Sequence, residues 1–323
     1  MIHEYMALGF LHRSIDALAV WTEDFASLVP EPCRLAPATP LACFEPLPTL
    51  PKEPPREGAW SAPSPRPLSP GDRMSVHAMP AWCERRGTAL LVPPWKIGSP
   101  DLVAGYTSLL REAGYDVWLV CPPHHLERTA SGARSGEGFV SLDLTRLRAV
   151  FEQFVLELRV CAALAARSGE VGLVGLSLGG LAGALAVTGP ERLDFAALVA
   201  PAHVGLVMSE TGIGRRYRRL ATLAGSSWPN EQDLAGALAP FDPAPRTCTA
   251  RRLFIATGRY DRIVPIAGPA SLARAWSVAP RLYPRGHISL LFLCSELRHD
   301  LLRFAMGAGA ASRTRNEVVT WRS

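Results

Sequence analysis

A serine hydroxyl is a poor nucleophile until a base removes its proton and a third group orients that base. The parts for such a relay are present here. Ser177 lies in the stretch VGLVGLSLGG, residues 171–180, with Gly175 and Gly179 two positions to either side. G-x-S-x-G alone is weak, since glycine and serine are common residues. Its flanks sharpen it: a Val/Leu run precedes the serine and a small-residue segment follows. A tight strand-to-helix turn strains the serine backbone and needs tiny residues at those two positions. A serine that merely caps the start of a helix is the plainer alternative.

For the base, eight histidines are available, at positions 3, 12, 77, 124, 125, 203, 287 and 299. Sites in open α/β sheets form at the carboxyl ends of strands. His287 follows the last apolar run in Arg285-Gly286-His287, where Gly286 leaves the loop free to aim the ring. His124, His125 and His203 also follow strands; they are expected as pocket lining, with contact to substrate, or as backbone hydrogen-bond partners. His299 reads as structural. For the orienting acid, Asp261 follows a strand in TGRYDRIVP. Asp242 is the runner-up, and an ion pair with Arg259 or Arg262 is the plainer use of Asp261.

The elements that must position these residues follow from periodicity. Short apolar runs alternate with amphipathic helices from residue 88 onward, the signature of a parallel α/β sheet. Strands are expected at 88–92, 117–121, 171–176, 195–200, 253–257 and 281–283, with an antiparallel edge strand within 73–82. Helices are expected after the Ser99-Pro100-Asp101 cap signal, at 143–167, at 178–187 and at 289–305. Between the fourth and fifth strands, residues 201–251 are too many for an ordinary connection. They read as a small helical lid, with helices at 214–223 and 231–238. Within it, RRYRR at 215–219 reads as a solvated lid-helix face, with anion docking the alternative.

Residues 1–59 form a leader with weak helical periodicity at 14–29. Thirteen of the chain's 29 prolines fall in residues 30–70, which excludes regular helix or a central strand there. Residues 307–323 read as a loose tail, leaving 60–306 as the main domain. The 323 residues are 48% hydrophobic and carry a net charge of +5. Only Lys52 and Lys96 among 34 basic residues are lysines, and no basic stripe is interleaved with aromatics, so a nucleic-acid surface is not expected. Seven dispersed cysteines form no C-x-x-C, which argues against zinc and a disulfide framework. Residues 171–189 are uncharged over 19 positions, but six are glycine and anchoring flanks are missing. No membrane span is expected. Charged residues interrupt the apolar N-terminus, so no signal peptide and a cytoplasmic protein are expected.

Gly175-Leu176-Ser177-Leu178-Gly179, then Asp261, then His287, each after a strand, resembles the α/β-hydrolase superfamily over about residues 60–305. The PPHHLERT and GEGF stretches resemble poorly characterised bacterial hydrolases near the dienelactone hydrolase and acetyl-esterase branches. The resemblance implies the α/β-hydrolase fold, with a mostly parallel central sheet, helices on both faces and a small lid. It also implies a Ser177-His287-Asp261 triad cleaving a carboxylic ester of a small molecule through an acyl-enzyme, without metal or cofactor. An acyltransferase built on the same triad is the alternative, and a non-catalytic binding scaffold a more distant one. The family's oxyanion hole takes one N–H from the residue after the nucleophile, here Leu178. The other comes from the loop after residue 92, where Pro93 and Pro94 have no N–H. Trp95 is therefore the first possible donor, with Lys96 the alternative.

Overall fold

The computed structural model describes residues 30–307. The expected helix at 14–29 and the tail from 308 onward lie outside the described residues. Eight strands form one sheet in the order β1-β2-β4-β3-β5-β6-β7-β8. They are β1 (Gly58–Pro63), β2 (Arg73–Met79), β3 (Gly87–Val92), β4 (Tyr115–Cys121), β5 (Glu170–Leu176), β6 (Phe195–Val199), β7 (Arg252–Gly258) and β8 (Arg281–Tyr283). The pairs β1/β2 and β2/β4 are antiparallel and all others are parallel. The central strands β3 and β6 are buried along their whole length. Continuous apolar runs produce this, because a parallel sheet is covered on both faces.

Alternation along each strand divides the core in two. Leu90 and Val92 of β3 point to one cluster, Ala89 and Leu91 to the other. The first cluster packs against α2 (Leu144–Ala165) and α3 (Leu178–Ala186). The second packs against α1 (Ala104–Glu112), whose Tyr106, Leu109 and Leu110 are buried. Asp143 caps α2 by accepting from the Thr145 and Arg146 N–H groups.

Between β6 and β7 three helices stand over the strand ends: α4 (Val204–Glu210), α5 (Gly212–Leu223) and α6 (Glu231–Leu238). The first of these is absent from the sequence reading. After β7 comes α7 (Ala267–Ala275), and after β8 the chain forms α8 (His287–Leu293) and α9 (Ser295–Ala305). The sequence predicts one helix here; the structure breaks it at Cys294, whose backbone is extended (φ −93°, ψ 99°). Among the described residues no helix is long and apolar enough to cross a membrane.

The proline-rich segment departs from expectation at one point. It supplies β1, which pairs outside β2, so β2 is not the edge strand. Proline is tolerated at such an edge, and Pro63 ends the strand. Upstream of β1, prolines leave carbonyls that no ladder can use. Arginines of α2 meet them. Arg148 donates to the carbonyls of Pro37, Thr39 and Pro40, and Arg159 to those of Cys43 and Glu45. Leu41 and Cys43 are buried beside that helix.

Candidate active site

Ser177 sits between β5 and α3 with φ 54° and ψ −111°, a strained backbone for a residue with a side chain. Its surroundings enforce that geometry. The Ser177 N–H donates to the Val199 carbonyl at 2.8 Å, and its carbonyl accepts from Leu181 N–H at 3.0 Å. A Cβ on Gly175 would lie 2.4 Å from the Gly179 carbonyl oxygen. One on Gly179 would lie 2.3 Å from the Val92 carbonyl oxygen. Only glycine lets strand, helix and neighbouring loop approach this closely.

Two further strand ends bring the partners. His287 opens α8 just after β8, and its Nε2 lies 2.9 Å from Ser177 Oγ. Its Nδ1 lies 2.7 Å from Asp261 Oδ2, in the loop after β7. The other carboxylate oxygen, Oδ1, accepts from the N–H groups of Ile263 (2.8 Å) and Val264 (2.7 Å). The carboxylate is therefore fixed in rotation and can only accept. It places the imidazole proton on Nδ1 and leaves Nε2 to accept from the serine hydroxyl. The His287 and Asp261 side chains are 4% and 0% exposed, so water does not compete for this chain of bonds. The runner-up acid, Asp242, stands instead against His203, 3.8 Å from its Nε2.

The loop after β3 is held from behind. The Lys96 N–H donates to His125 Nε2 at 3.0 Å, and Trp95 Nε1–H donates to the Gly136 carbonyl at 2.9 Å. The Pro123 carbonyl lies 2.8 Å from His125 Nδ1, so that nitrogen carries the proton and Nε2 is the acceptor. Burial, the main cause, pulls the His125 pKa down to about 4, which keeps the ring in this neutral form. Gly136 (φ 81°) passes so close that a Cβ there would meet His125 Nε2 at 2.7 Å. The supporting loop is itself anchored to the body of the fold. Arg128 pairs with Glu157 at 2.6 Å and Asp72 at 3.3 Å, and Glu127 accepts from Ser75 and His77. The Pro123–His125 bond and the Lys96 bond thus make one unit of two loops far apart in sequence.

Over Ser177 lies an apolar cavity of about 760 Å³, its mouth included. Leu144, Leu147 and Phe151 of α2 form one wall, and Val204, Val207 and Met208 of α4 form another. Trp95, Ser177, Leu178 and Tyr217 also line it. The histidines expected as substrate contacts do not: none of His124, His125 and His203 is among its lining residues. Their nitrogens explain why. His125 is fully buried with both nitrogens engaged, and His203 Nδ1 accepts from the Leu206 N–H to cap α4. Both are backbone partners. His124 is partly buried, and that burial, with arginines nearby, lowers its pKa.

Two features escaped the sequence reading. The pairing of His125 with Lys96 spans 29 positions and has no periodic signal. Tyr217, inside RRYRR, is the buried member of an otherwise arginine-bearing stretch; Ile213, Leu220 and Ala221 share its face. Helical spacing carried that signal, hidden under the charges.

No protein-family pattern matches the chain, and no curated protein matches it in sequence. Solved structures do match in shape. A cold-adapted esterase from an Arctic intertidal metagenomic library is similar at 15% identity and TM-score 0.52, over 77% of this chain and 92% of that one. The acylaminoacyl peptidase of Pyrococcus horikoshii is similar at 12% identity and TM-score 0.55, over 78% of this chain and 41% of that one. A serine hydrolase of Cycloclasticus zankles, 12% identical, overlaps 77% of this chain and 99% of its own with TM-score 0.49. Sheet order, the strained turn after β5 and the shapes of the esterase and the peptidase agree: the chain has the α/β-hydrolase fold.

Proposed function

We propose that the protein is a serine hydrolase cleaving a carboxylic ester whose acyl chain lies in the apolar cavity. The observation that carries this reading is the chain of bonds Ser177–His287–Asp261, whose Ser177 lines that cavity. In this reading Ser177 Oγ attacks the acyl carbonyl while His287 Nε2 takes its proton. Asp261 holds the Nδ1 proton in place and stabilises the imidazolium as it forms. The carbonyl oxygen becomes an oxyanion, and the amides of Leu178 and Trp95 are the donors for it. Lys96, the other candidate, has its N–H committed to His125, which favours Trp95 over it. The imidazolium then protonates the leaving alcohol. Water, activated by the same His287, attacks the acyl-enzyme and returns the serine.

The cavity supports an acyl chain as the bound part, since its walls are almost wholly apolar. The dienelactone hydrolase and acetyl-esterase branches remain the relatives proposed from the PPHHLERT and GEGF stretches. A fluorophosphonate probe tests the central claim. The wild-type protein is expected to take one label and Ser177→Ala none, with both folded by circular dichroism. A folded wild type that takes no label overturns the assignment of the nucleophile.

A further inference from the structure

The lid helix α5 contributes Tyr217 to the lining of the apolar cavity. Tyr217 is 3% exposed and borders the cavity, as does Ile213 one turn earlier on the helix. Its hydroxyl has no hydrogen-bond partner among the described residues. Burial, with a further contribution from the Glu31 carboxylate, raises its pKa, so the hydroxyl keeps its proton and can donate. Arg215, Arg218 and Arg219 of the same helix are exposed, while Arg216 is half-buried and its charge opposes the rise in the Tyr217 pKa.

Of the other polar groups at the cavity, Ser141 has partners of its own. Ser141 Oγ donates to Glu31 Oε1 at 2.8 Å, and Glu31 Oε2 accepts from the Leu142 N–H. A water needs about two to four polar partners to stay in place, and the cavity lining is almost wholly apolar. A buried, unpaired hydroxyl is destabilising, and phenylalanine would fill the same volume without that cost. Among the described residues the hydroxyl therefore has nothing to satisfy it.

We propose that Tyr217 is a specificity-determining donor for an oxygen carried on the substrate's acyl chain. The substrate class is an ester of an oxygenated aliphatic acid, bearing a keto, hydroxyl or ether oxygen, rather than of a plain alkanoic acid. This rests on the serine-hydrolase reading above. The bound chain lays its carbons against α2 and α4 and presents its oxygen to the tyrosine. A site built around a buried donor discriminates against an analogue that leaves the donor unpaired, more strongly than an apolar pocket discriminates between chain lengths.

The test compares matched aryl esters: a plain alkanoyl chain, and chains of the same length with one keto or hydroxyl group at successive positions. The readout is the ratio of kcat/KM for each oxygenated chain to that for the plain one. In the wild type one position is expected to be favoured about tenfold or more. In Tyr217→Phe that ratio is expected to collapse toward one, while the melting temperature stays the same or rises. A wild type with no preferred position, or a ratio that Tyr217→Phe leaves intact, overturns the proposal. Fluorophosphonate labelling of both proteins separates the two readings. Labelled wild type without a preference rejects the Tyr217 role alone, and unlabelled wild type rejects the hydrolase reading and this proposal with it.

Discussion

At the scale of single residues, His125 shows how a buried imidazole can do structural work beside the loop that faces Ser177. Its Nδ1–H is tied to Pro123 and its Nε2 receives the Lys96 N–H, so it fixes the backbone one residue beyond Trp95. Lys96 sits at φ 62°, a conformation that needs outside support. Replacing the ring should therefore loosen the Trp95 amide without touching the serine. His125→Ala is expected to lower kcat about tenfold or more, below the effect of losing an oxyanion donor outright. Fluorophosphonate labelling should persist, more slowly. His125→Gln offers an acceptor at similar reach and should recover part of the rate. Steady-state kinetics on one aryl ester, beside a melting curve for each variant, checks this. The residue types of Ser177, Asp261 and His287 were readable because each follows a strand. The task of His125 was not, because a side-chain bond to a distant backbone leaves no pattern in either segment.

At the scale of elements, the turn after β5 is limited by contact between backbones. Gly179→Ala would drive a Cβ against the carbonyl oxygens of Val92 and Pro93, 2.3 and 2.5 Å away. Neither backbone can swing aside as a side chain end could. The substitution is expected to cost about 3 kcal/mol or more and to lower activity by shifting the loop that carries Trp95. Gly236→Ala in α6 meets open space, and should stabilise by about 0.5–1 kcal/mol. Urea titration of both variants measures the contrast. The parallel strands were legible because each is a short apolar run between turn signals. β1 was not, because a strand that starts four residues after Pro54 and ends on Pro63 looks like linker. The break between α8 and α9 was also invisible: Cys294 is buried and apolar, so the helical spacing runs through it.

At the scale of the whole molecule, the buried histidine gives stability a pH dependence. An unfolded histidine binds its proton near pH 6.5, while His125 in the folded chain does so only near pH 4. The unfolded state thus holds more protons in between, and stability must fall as pH drops from 6.5 toward 4. The full effect is about 3 kcal/mol, with His124 adding in the same direction. Asp72, Glu127, Asp194 and Asp242 have lowered pKa values, so their stabilisation is lost only below the ordinary carboxylate range of 3.8 to 4.5. The window between pH 6.5 and 4.5 therefore belongs to the histidines. Denaturant midpoints across it should slope for the wild type and slope less for His125→Gln, with His124 keeping the remainder.

The bond between Ser177 and His287 closes 110 positions of chain, and that between Lys96 and His125 joins loops on separate strands. No stretch of sequence holds enough of these parts to work alone. Contacts of such separation form late, after the entropy of closing the intervening loops has been met. A chain emerging from synthesis would expose its apolar strands well before His287 arrives to complete the relay. On the proposed hydrolase reading, turnover is then a signal that folding has finished, and a partly folded population would be silent rather than slow.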